Sequence, residues 1–334
     1  MMGQEISMEH SVKNDRRKVS VLIPFYNEQE VLPVLFDRLG RFMNGRMDVD
    51  WEVLMVNDGS TDRSLELVKA KHCEDKKWRY VDLSRNFGKE IAMMAGFDYV
   101  TGDCVVVMDA DLQDPPEVMD EMITLWQQGY DDVYGRRLTR GKEPWLRKFL
   151  TMRYYHMLQR VTRIPVLQNT GDFRLLDRIC IDALCSMRET QRYTKGLYCW
   201  IGFRKAEVVF DRGDRAAGTT KWNFFKLLAL AIEGITSYTV APLRFATVVG
   251  LCSAVGSFVY MLYFLIKSFI WGDPVQGFPT MITVLLFMGG MILLSLGVLG
   301  EYIGRIFNEA KGRPPYFVRE VDGMRPPRSQ CLRS

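Results

Sequence analysis

The chain has 334 residues, 48% of them hydrophobic and 25% charged, which is the composition of a folded protein with a sizeable core. A formal net charge of +4, without long Lys or Arg runs before the C-terminal third, does not suggest a nucleic-acid partner. The seven cysteines are scattered without a Cys-x-x-Cys spacing, so we expect reduced thiols rather than zinc ligands or a redox disulfide.

Residues 1–17 are polar and lack the apolar stretch of a secretory signal, which predicts a flexible N-terminus in the cytoplasm. Residues 18–220 are predicted to form one α/β domain. Its predicted strands are 19–25, 51–56, 78–83, 104–108 and 132–134, with helical patterns that begin near Gln29 and after Thr61. Apolar strands that alternate with helices predict a mostly parallel, Rossmann-like sheet covered by helices on both faces.

Polar motifs follow three of these strands. They are Pro24-Phe25-Tyr26-Asn27-Glu28, Asn57-Asp58-Gly59-Ser60 and Asp109-Ala110-Asp111. Ligands of such sheets bind beyond the carboxyl ends of the strands, so we expect the three loops to meet in one crevice. The first strand is not followed by a G-x-G-x-x-G or Walker loop, which leaves a dinucleotide or ATP-hydrolysing site without support.

The Asp109-Ala110-Asp111 motif predicts a metal site. Two carboxylates one residue apart on a loop can share Mg²⁺ or Mn²⁺, which then bridges a diphosphate and offsets the charge of the leaving group. The alternative is that the aspartates cap the helix that opens near Pro115. Asp114 is the better candidate for that cap, and we therefore prefer the metal interpretation.

Two uncharged stretches, 245–266 and 278–300, each match the roughly 20 apolar residues that cross a bilayer. They predict transmembrane helices at about 245–267 and 278–300, within a region 244–304, that pack as a hairpin through small residues. The alternative is a pair of buried core helices. Before them, residues 221–243 open with aromatic and basic side chains that suit either an amphipathic helix in the membrane interface or an ordinary packing helix.

The charges around the predicted spans indicate their orientation. Arg244 precedes the first span and Arg305 follows the second, whereas the connecting segment 271–274 is short and acidic. Lys267 is a mild exception. We therefore expect both chain ends in the cytoplasm, with residues 305–334 as a C-terminal tail and the α/β domain held against the inner leaflet.

An ordered set of motifs resembles glycosyltransferase family 2, the inverting GT-A enzymes, and within it the polyprenyl-phosphate glycosyltransferases such as dolichyl-phosphate mannose synthases and bactoprenol glucosyltransferases. Besides the three motifs above, the matching residues are Arg85-Asn86-Phe87-Gly88-Lys89, Asp111-Leu112-Gln113, Gly171-Asp172-Phe173-Arg174, Gly218-x-x-Lys221-Trp222 and Leu299-Gly300-Glu301-Tyr302-Ile303-Gly304-Arg305. Two positions depart from the family pattern: Asn57-Asp58 stands for an acidic pair, and Thr220 stands for Ser.

The resemblance assigns roles on the donor side. It implies that Pro24, Tyr26, Glu28 and Asp58 line the nucleoside end of a nucleotide sugar, that Asn86 and Lys89 approach the donor beside Ala110, and that Gln113 is a third metal ligand or lies near the metal. For Glu28 and Asp58 the alternative is capping of a helix in its first turn. For Lys89 the alternative is a solvated lysine at a helix start.

The resemblance also implies a polyprenyl-phosphate acceptor. Its phosphate would be held by guanidinium and ammonium groups, for which the candidates are Arg136, Arg137, Arg147, Arg215 and Lys221, with Arg137 and Arg215 the preferred pair. Each could instead be a surface charge. Asp172 occupies the position of the residue proposed as catalytic base, and it could alternatively order a sugar hydroxyl or orient an arginine such as Arg174.

The resemblance therefore predicts a metal-dependent, multi-pass enzyme of the bacterial plasma membrane that transfers a sugar, by family preference from UDP-glucose, to undecaprenyl phosphate. It further implies a homotetramer, and a flippase and a downstream transferase as pathway partners. One alternative is a processive polysaccharide synthase, although Arg192-Tyr193 matches the Gln-x-x-Arg-Trp motif of those enzymes poorly. The other is a noncatalytic nucleotide-binding scaffold.

Overall fold

A computed structural model describes residues 17–138, 170–190, 192–211 and 277–325, together with single positions between 250 and 270. In chain order its elements are β1 (Lys18–Phe25), α1 (Leu32–Gly45), β2 (Asp50–Asn57), α2 (Ser64–Glu74), β3 (Trp78–Leu83), α3 (Lys89–Tyr99), β4 (Cys104–Val107), a 3-10 turn (Pro116–Val118), α4 (Met119–Gln127), β5 (Asp132–Arg137), β6 (Thr170–Asp177), α5 (Arg178–Ser186), α6 (Thr194–Trp200), β7 (Lys205–Phe210), α7 (Phe278–Ala310) and β8 (Val318–Val321).

The eight described strands form one sheet in the order β7-β5-β6-β4-β1-β2-β3-β8. β4, β1, β2 and β3 run parallel to one another, and β5 is parallel to β7, whereas β6 and β8 are antiparallel to their neighbours. The predicted mostly parallel α/β sheet is confirmed, and all five predicted strands are present. β6, β7 and β8 were not predicted as strands.

Helices cover the sheet on both faces because successive side chains of a strand point to opposite sides. Val21 and Ile23 of β1 pack into a core with α1 and α4, whereas Leu22 between them packs into a second core with α3 and α5. Burial on both faces explains why the central strands are continuous apolar runs. The sheet is therefore a rigid support for the loops at its carboxyl edge.

Helix α7 contains the second predicted span. Within the described residues it is the one helix long and apolar enough to cross a membrane, over Phe287–Ala310, and none of its most apolar window is buried. That exposure is unlike the core helix considered as the alternative. For the first predicted span, at 245–267, only single positions from 250 onward are described, and these are helical.

The region predicted as a C-terminal tail, 305–334, begins inside α7 and then contributes β8 to the sheet edge. β8 pairs antiparallel with β3, and the Ser84 N–H donates to the Phe317 carbonyl at 2.8 Å. Past the strand, the Asp322 carboxylate accepts from the Tyr80 N–H and from Arg79 Nε, both at 2.8 Å. The chain thus returns to the α/β domain after its apolar helix.

Candidate active site

A cavity of about 340 Å³ lies where β1, β2 and β4 end. Its lining residues are Pro24, Phe25, Tyr26, Glu28, Asp58, Asn86, Gly88, Lys89, Ala92, Asp109, Ala110 and Asp111. The three predicted loops therefore converge, because parallel strands present their carboxyl ends at the same edge. A cavity of similar size beside Arg17 and Trp126, at the amino end of β1, is not reached by any of these motifs.

Asp58 braces the loop that leads into α3. Its two carboxylate oxygens accept the Phe87 N–H at 2.7 Å and the Gly88 N–H at 2.9 Å. Burial raises the pKa of Asp58, although these two donors oppose the change. Asp58 therefore does bind backbone N–H groups at a helix start, as the capping alternative expects, but the helix is α3, which begins about 30 residues later in the chain. Asp58 also lines the cavity.

Glu28 lies on the cavity wall, and its carbonyl accepts the N–H groups of Val31 and Leu32 at 3.0 Å. Helix α1 begins after Val31, which makes no side-chain capping hydrogen bond. Glu28 thus contacts the start of α1 through its carbonyl, and its N–H donates to Ser64 Oγ at the start of α2 at 2.8 Å. Tyr26, 44% exposed, stands at the rim of the same cavity.

Gly59 permits the close approach of two loops, the one after β2 and the one before α3, that line one side of the cavity. It has a φ of +69°, and a Cβ added there would lie 2.5 Å from the carbonyl carbon of Arg85 and from the Asn86 nitrogen. Both obstacles are backbone atoms, which cannot rotate away.

We expect Gly59→Ala to raise the KM for the nucleotide donor at least about tenfold, because it displaces the Asn86 loop by a steric clash and strains φ. Steady-state kinetics and nucleotide titration would measure the change. Gly40→Ala is the matched control, since a Cβ at Gly40 meets nothing within 4 Å. An unchanged donor KM in Gly59→Ala would show that the loop does not shape the donor site.

Lys89 joins two carboxylates, one from the loop after β4 and one from β6. Its Nζ lies 2.6 Å from Asp109 Oδ1 and 2.6 Å from Asp172 Oδ2. Although burial alone would lower it, the pKa of Lys89 is raised by these two carboxylates. Lys89 is the first residue of α3 and its side chain is 42% exposed, as the alternative interpretation expects, but its ammonium group is paired with both carboxylates.

Strand pairing explains why Asp172 meets Asp109. β6 runs antiparallel to β4 with Arg174 opposite Val107, so Asp172 stands level with Asp109 just beyond the end of β4. Asp172 is 7% exposed. Burial alone would raise the pKa of Asp172, but the Lys89 and Lys195 ammonium groups lower it, so the carboxylate stays ionised near neutral pH.

The donor set around Asp111 fits a hard divalent cation. Gln113 Oε1 is buried and has no hydrogen-bond partner within the described residues, while the Gln113 N–H donates to Asp111 Oδ1 at 3.2 Å. A group of three or more His, Cys, Asp or Glu side chains able to hold a metal is not found in the described part of the chain. Two carboxylates and an amide oxygen suit Mg²⁺ or Mn²⁺, which take their remaining ligands from phosphates and water.

The helix-capping alternative for these aspartates is not seen. The 3-10 turn that follows has Pro115 at its N-cap and no side-chain capping hydrogen bond. Asp114, the preferred cap candidate, instead lies 3.5 Å from Arg137 Nη2.

The arginines and the lysine predicted to bind the acceptor phosphate differ in their positions in the structure. The Arg137 guanidinium lies against Gly171, and its buried Nε has no hydrogen-bond partner among the described residues. Arg136 points to the other side of β5 and pairs with Glu207 at 3.0 Å, which agrees with the surface-charge alternative. Arg147, Arg215 and Lys221 lie outside the described residues.

Arg174 has its ion-pair partner in Asp132, and its charge acts on Asp172 more weakly than the charges of Lys89 and Lys195. It is buried, lies 3.1 Å from Asp132, and stacks on the Tyr198 ring with its guanidinium carbon 3.7 Å from the centroid. The residue that sequence reasoning missed is Lys195, whose Nζ lies 3.9 Å from Asp172 Oδ1. Lys195 lies outside all of the motifs named above, so only the fold could reveal its contact with Asp172.

The fold and the site define a class of enzyme: an α/β protein with an Asp-x-Asp loop at the carboxyl edge of its sheet, of the GT-A type. The chain belongs to glycosyltransferase family 2. Residues 20–184 match the model of Glycosyl transferase family 2, and residues 241–306 match the GtrB C-terminal hairpin.

Relatives span nearly the whole chain. It is 41% identical to an uncharacterized glycosyltransferase of Synechocystis sp. over 92% of this chain and 96% of that one. It is 37% identical to the bactoprenol glucosyl transferase of Shigella phage SfX, over 90% of this chain and 99% of the relative. Among solved structures, the glucosyl-3-phosphoglycerate synthase of Mycobacterium tuberculosis, crystallised with Mn²⁺ and UDP-glucose, aligns at a TM-score of 0.44 with 18% identity, covering 65% of this chain and 76% of that one.

Proposed function

We propose that this protein transfers glucose from UDP-glucose to undecaprenyl phosphate at the cytoplasmic face of a bacterial plasma membrane, with inversion at the anomeric carbon. The observation that carries the proposal is the juxtaposition of the Asp109 and Asp111 cavity with the Lys89 and Asp172 pair. The relatives named bactoprenol glucosyl transferase, which match over nine tenths of the chain, support this acceptor class.

On the donor side, the cavity holds the nucleotide. Glu28 supplies carboxylate oxygens that can accept hydrogen bonds from base or ribose donors, and the exposed Tyr26 ring offers an apolar face. Asp109, Asp111 and Gln113 would hold Mg²⁺ or Mn²⁺, and the bound cation would offset negative charge on the diphosphate leaving group. Lys89 adds a fixed positive charge on the same wall.

On the acceptor side, the nucleophile is a phosphate monoester oxygen that is largely ionised near neutral pH, since its second pKa is about 6. The new bond joins this oxygen to the anomeric carbon, while the bond from that carbon to the UDP oxygen breaks and its electron pair leaves with UDP. The step needs placement more than deprotonation. Arg137 is suited to hold the phosphate because guanidinium groups match phosphate oxygens.

Asp172 suits a positioning role better than that of a base. Its pKa is lowered by neighbouring lysines, which makes it a weak proton acceptor. It can instead hold Lys89 against Asp109 and accept a hydrogen bond from a sugar hydroxyl. In both roles Asp172 would lie between the bound donor and the bound acceptor.

The membrane part of the proposal combines α7 with the predicted spans at about 245–267 and 278–300. A C-terminal hairpin family matches the same region, 241–306. The hairpin would hold the cavity at the inner leaflet, where the phosphate of an isoprenoid lipid is within reach. We also propose that the protein forms a homotetramer, and that a flippase and a downstream transferase act on its product in the same pathway.

The processive-synthase alternative gains no support from Arg192. This side chain is buried and donates to the carbonyls of Met187 at 2.7 Å and Leu184 at 3.2 Å. These contacts fix the loop before α6. They leave Arg192 with a structural role.

The test is to incubate the purified full chain in detergent with undecaprenyl phosphate, Mg²⁺ or Mn²⁺, and a panel of sugar nucleotides, and to identify the glycolipid by mass. We expect a product one hexose heavier than the lipid with UDP-glucose. A product from another donor would correct the sugar while retaining the acceptor. Absence of any glycolipid, with a folded protein, would reject the proposed function.

A further inference from the structure

The Asp172 carboxylate lies between two lysines that it binds differently. Its Oδ2 accepts a hydrogen bond from Lys89 Nζ at 2.6 Å, whereas its Oδ1 lies 3.9 Å from Lys195 Nζ. Oδ1 is buried and accepts no hydrogen bond within the described residues. The Lys195 ammonium is therefore held near Asp172 by charge, at a distance beyond hydrogen bonding.

Helix α6, which carries Lys195, is fixed at its start and one turn later. At the start, the Thr194 N–H donates to the Glu90 carboxylate of α3 at 3.0 Å. One turn on, Tyr198 is fully buried beneath the Arg174 guanidinium. The backbone of Lys195 is thus set by the core, so binding a ligand would order only its side chain.

The two lysines differ in their remaining capacity to bind an anion. Lys89 is paired with two carboxylates, those of Asp109 and Asp172, each at 2.6 Å. Lys195 has only the more distant contact with Asp172 among the described carboxylates, while the two side chains are similarly exposed, at 39% for Lys195 and 42% for Lys89. Because an ammonium group has three donors, Lys195 can donate to a phosphate oxygen while staying close to Asp172.

The position of Lys195 favours the acceptor side. Lys89 lines the donor cavity, whereas Lys195 is not among the cavity-lining residues of the described chain. Arg137 lies against Gly171, where an added Cβ would come within 2.8 Å of its Nη2. Arg137 therefore lies on the face of β6 toward which Gly171 points, whereas Lys195 lies beside Asp172, whose side chain points to the opposite face.

We infer that Lys195 Nζ, beside Asp172, binds an oxygen of the acceptor phosphate. The inference rests on the proposed function. The same chemistry could serve the diphosphate of the donor, and the experiment separates these two sources. Loss of a charge-assisted hydrogen bond to phosphate corresponds to about a tenfold or larger change in affinity.

The experiment compares Lys195→Gln and Lys195→Arg with wild type, using Lys76→Gln as the control at an exposed lysine in the turn before β3. Three quantities are measured: the Kd for undecaprenyl phosphate in micelles, the Kd for UDP, and the KM values for both substrates. We expect Lys195→Gln to raise the Kd and KM for the lipid at least about tenfold and to leave the UDP Kd within about twofold. Lys195→Arg should recover much of the lipid affinity, because it keeps the charge.

Several results would overturn the inference. They are an unchanged lipid Kd in Lys195→Gln, a selective rise in the UDP Kd, or a fall in kcat alone, which would mean that Lys195 acts only through Asp172. Thermal unfolding of each variant checks folding, and Lys195→Met serves as a second uncharged variant. A wild type that binds the lipid but forms no glycolipid would count against the proposed function while still testing Lys195.

Discussion

Asp172→Asn is expected to lower turnover about a hundredfold or more while leaving nucleotide binding nearly unchanged. The amide keeps the shape of the side chain but removes the negative charge shared by Lys89 and Lys195. Removal of one preorganised polar group that stabilises charge in a transition state costs about 10²–10³ in turnover in enzymes where it has been measured, and we expect a similar loss here. Nucleotide binding survives because Asp172 is not among the residues that line the donor cavity in the described chain. Glycolipid turnover and nucleotide calorimetry measure the two effects.

The control for this variant is Asp182→Asn, which removes an exposed carboxylate on α5. The pH profile adds a second readout. The pKa of Asp172 is below its ordinary value, so protonation of this group does not account for a rate that falls below about pH 6, where the acceptor phosphate gains its proton. An Asp172→Asn enzyme with wild-type turnover would remove Asp172 from the reaction centre.

Asp111→Ala is expected to abolish the part of nucleotide binding that depends on Mg²⁺ or Mn²⁺. It removes one of the two carboxylates of the Asp-Ala-Asp loop and the acceptor of the Gln113 N–H. Even residues that only support a metal ligand contribute about 10–100-fold to metal affinity, so loss of a ligand should cost at least about a hundredfold. Nucleotide titrations with metal and with EDTA measure the difference.

In EDTA, wild type and Asp111→Ala should bind the nucleotide with similar affinity, since the metal-dependent contribution is then missing from both. Glu121→Gln, at an exposed position on α4, is the matched control. Thermal unfolding verifies that the variant folds. Full metal-dependent binding in Asp111→Ala would refute the assignment of this loop to the metal.

The carboxyl-edge crevice illustrates what local sequence predicts well. Asn86 and Lys89 were placed near Asp109 through a family motif, and the structure brings all three to one cavity. The strands before these motifs are short, apolar and separated by helices, so their order and direction follow from general rules of parallel sheets. A motif at the end of such a strand therefore lies at the carboxyl edge of the sheet.

The C-terminal region shows where this reasoning fails. β8 is a four-residue strand, Val318–Val321, whose alternation is too short to distinguish it from a tail. Its position depends on partners far away in the chain, such as Tyr80 and Arg79, which contact Asp322. Contacts of this kind carry no local periodicity.

The sequence by itself determined the α/β class, the predicted strands, the apolar helix after residue 278 and the family, because these depend on hydrophobic patterns and contiguous motifs. Only the tertiary structure decided which charges meet. The antiparallel pairing of β6 with β4 sets Asp172 level with Asp109, Lys89 bridges them, and α6 brings Lys195 to the same carboxylate. It also separated Arg136 from Arg137, since neighbouring residues of a strand face opposite sides. Side-chain pairing across a sheet depends on register, which residue types alone do not specify.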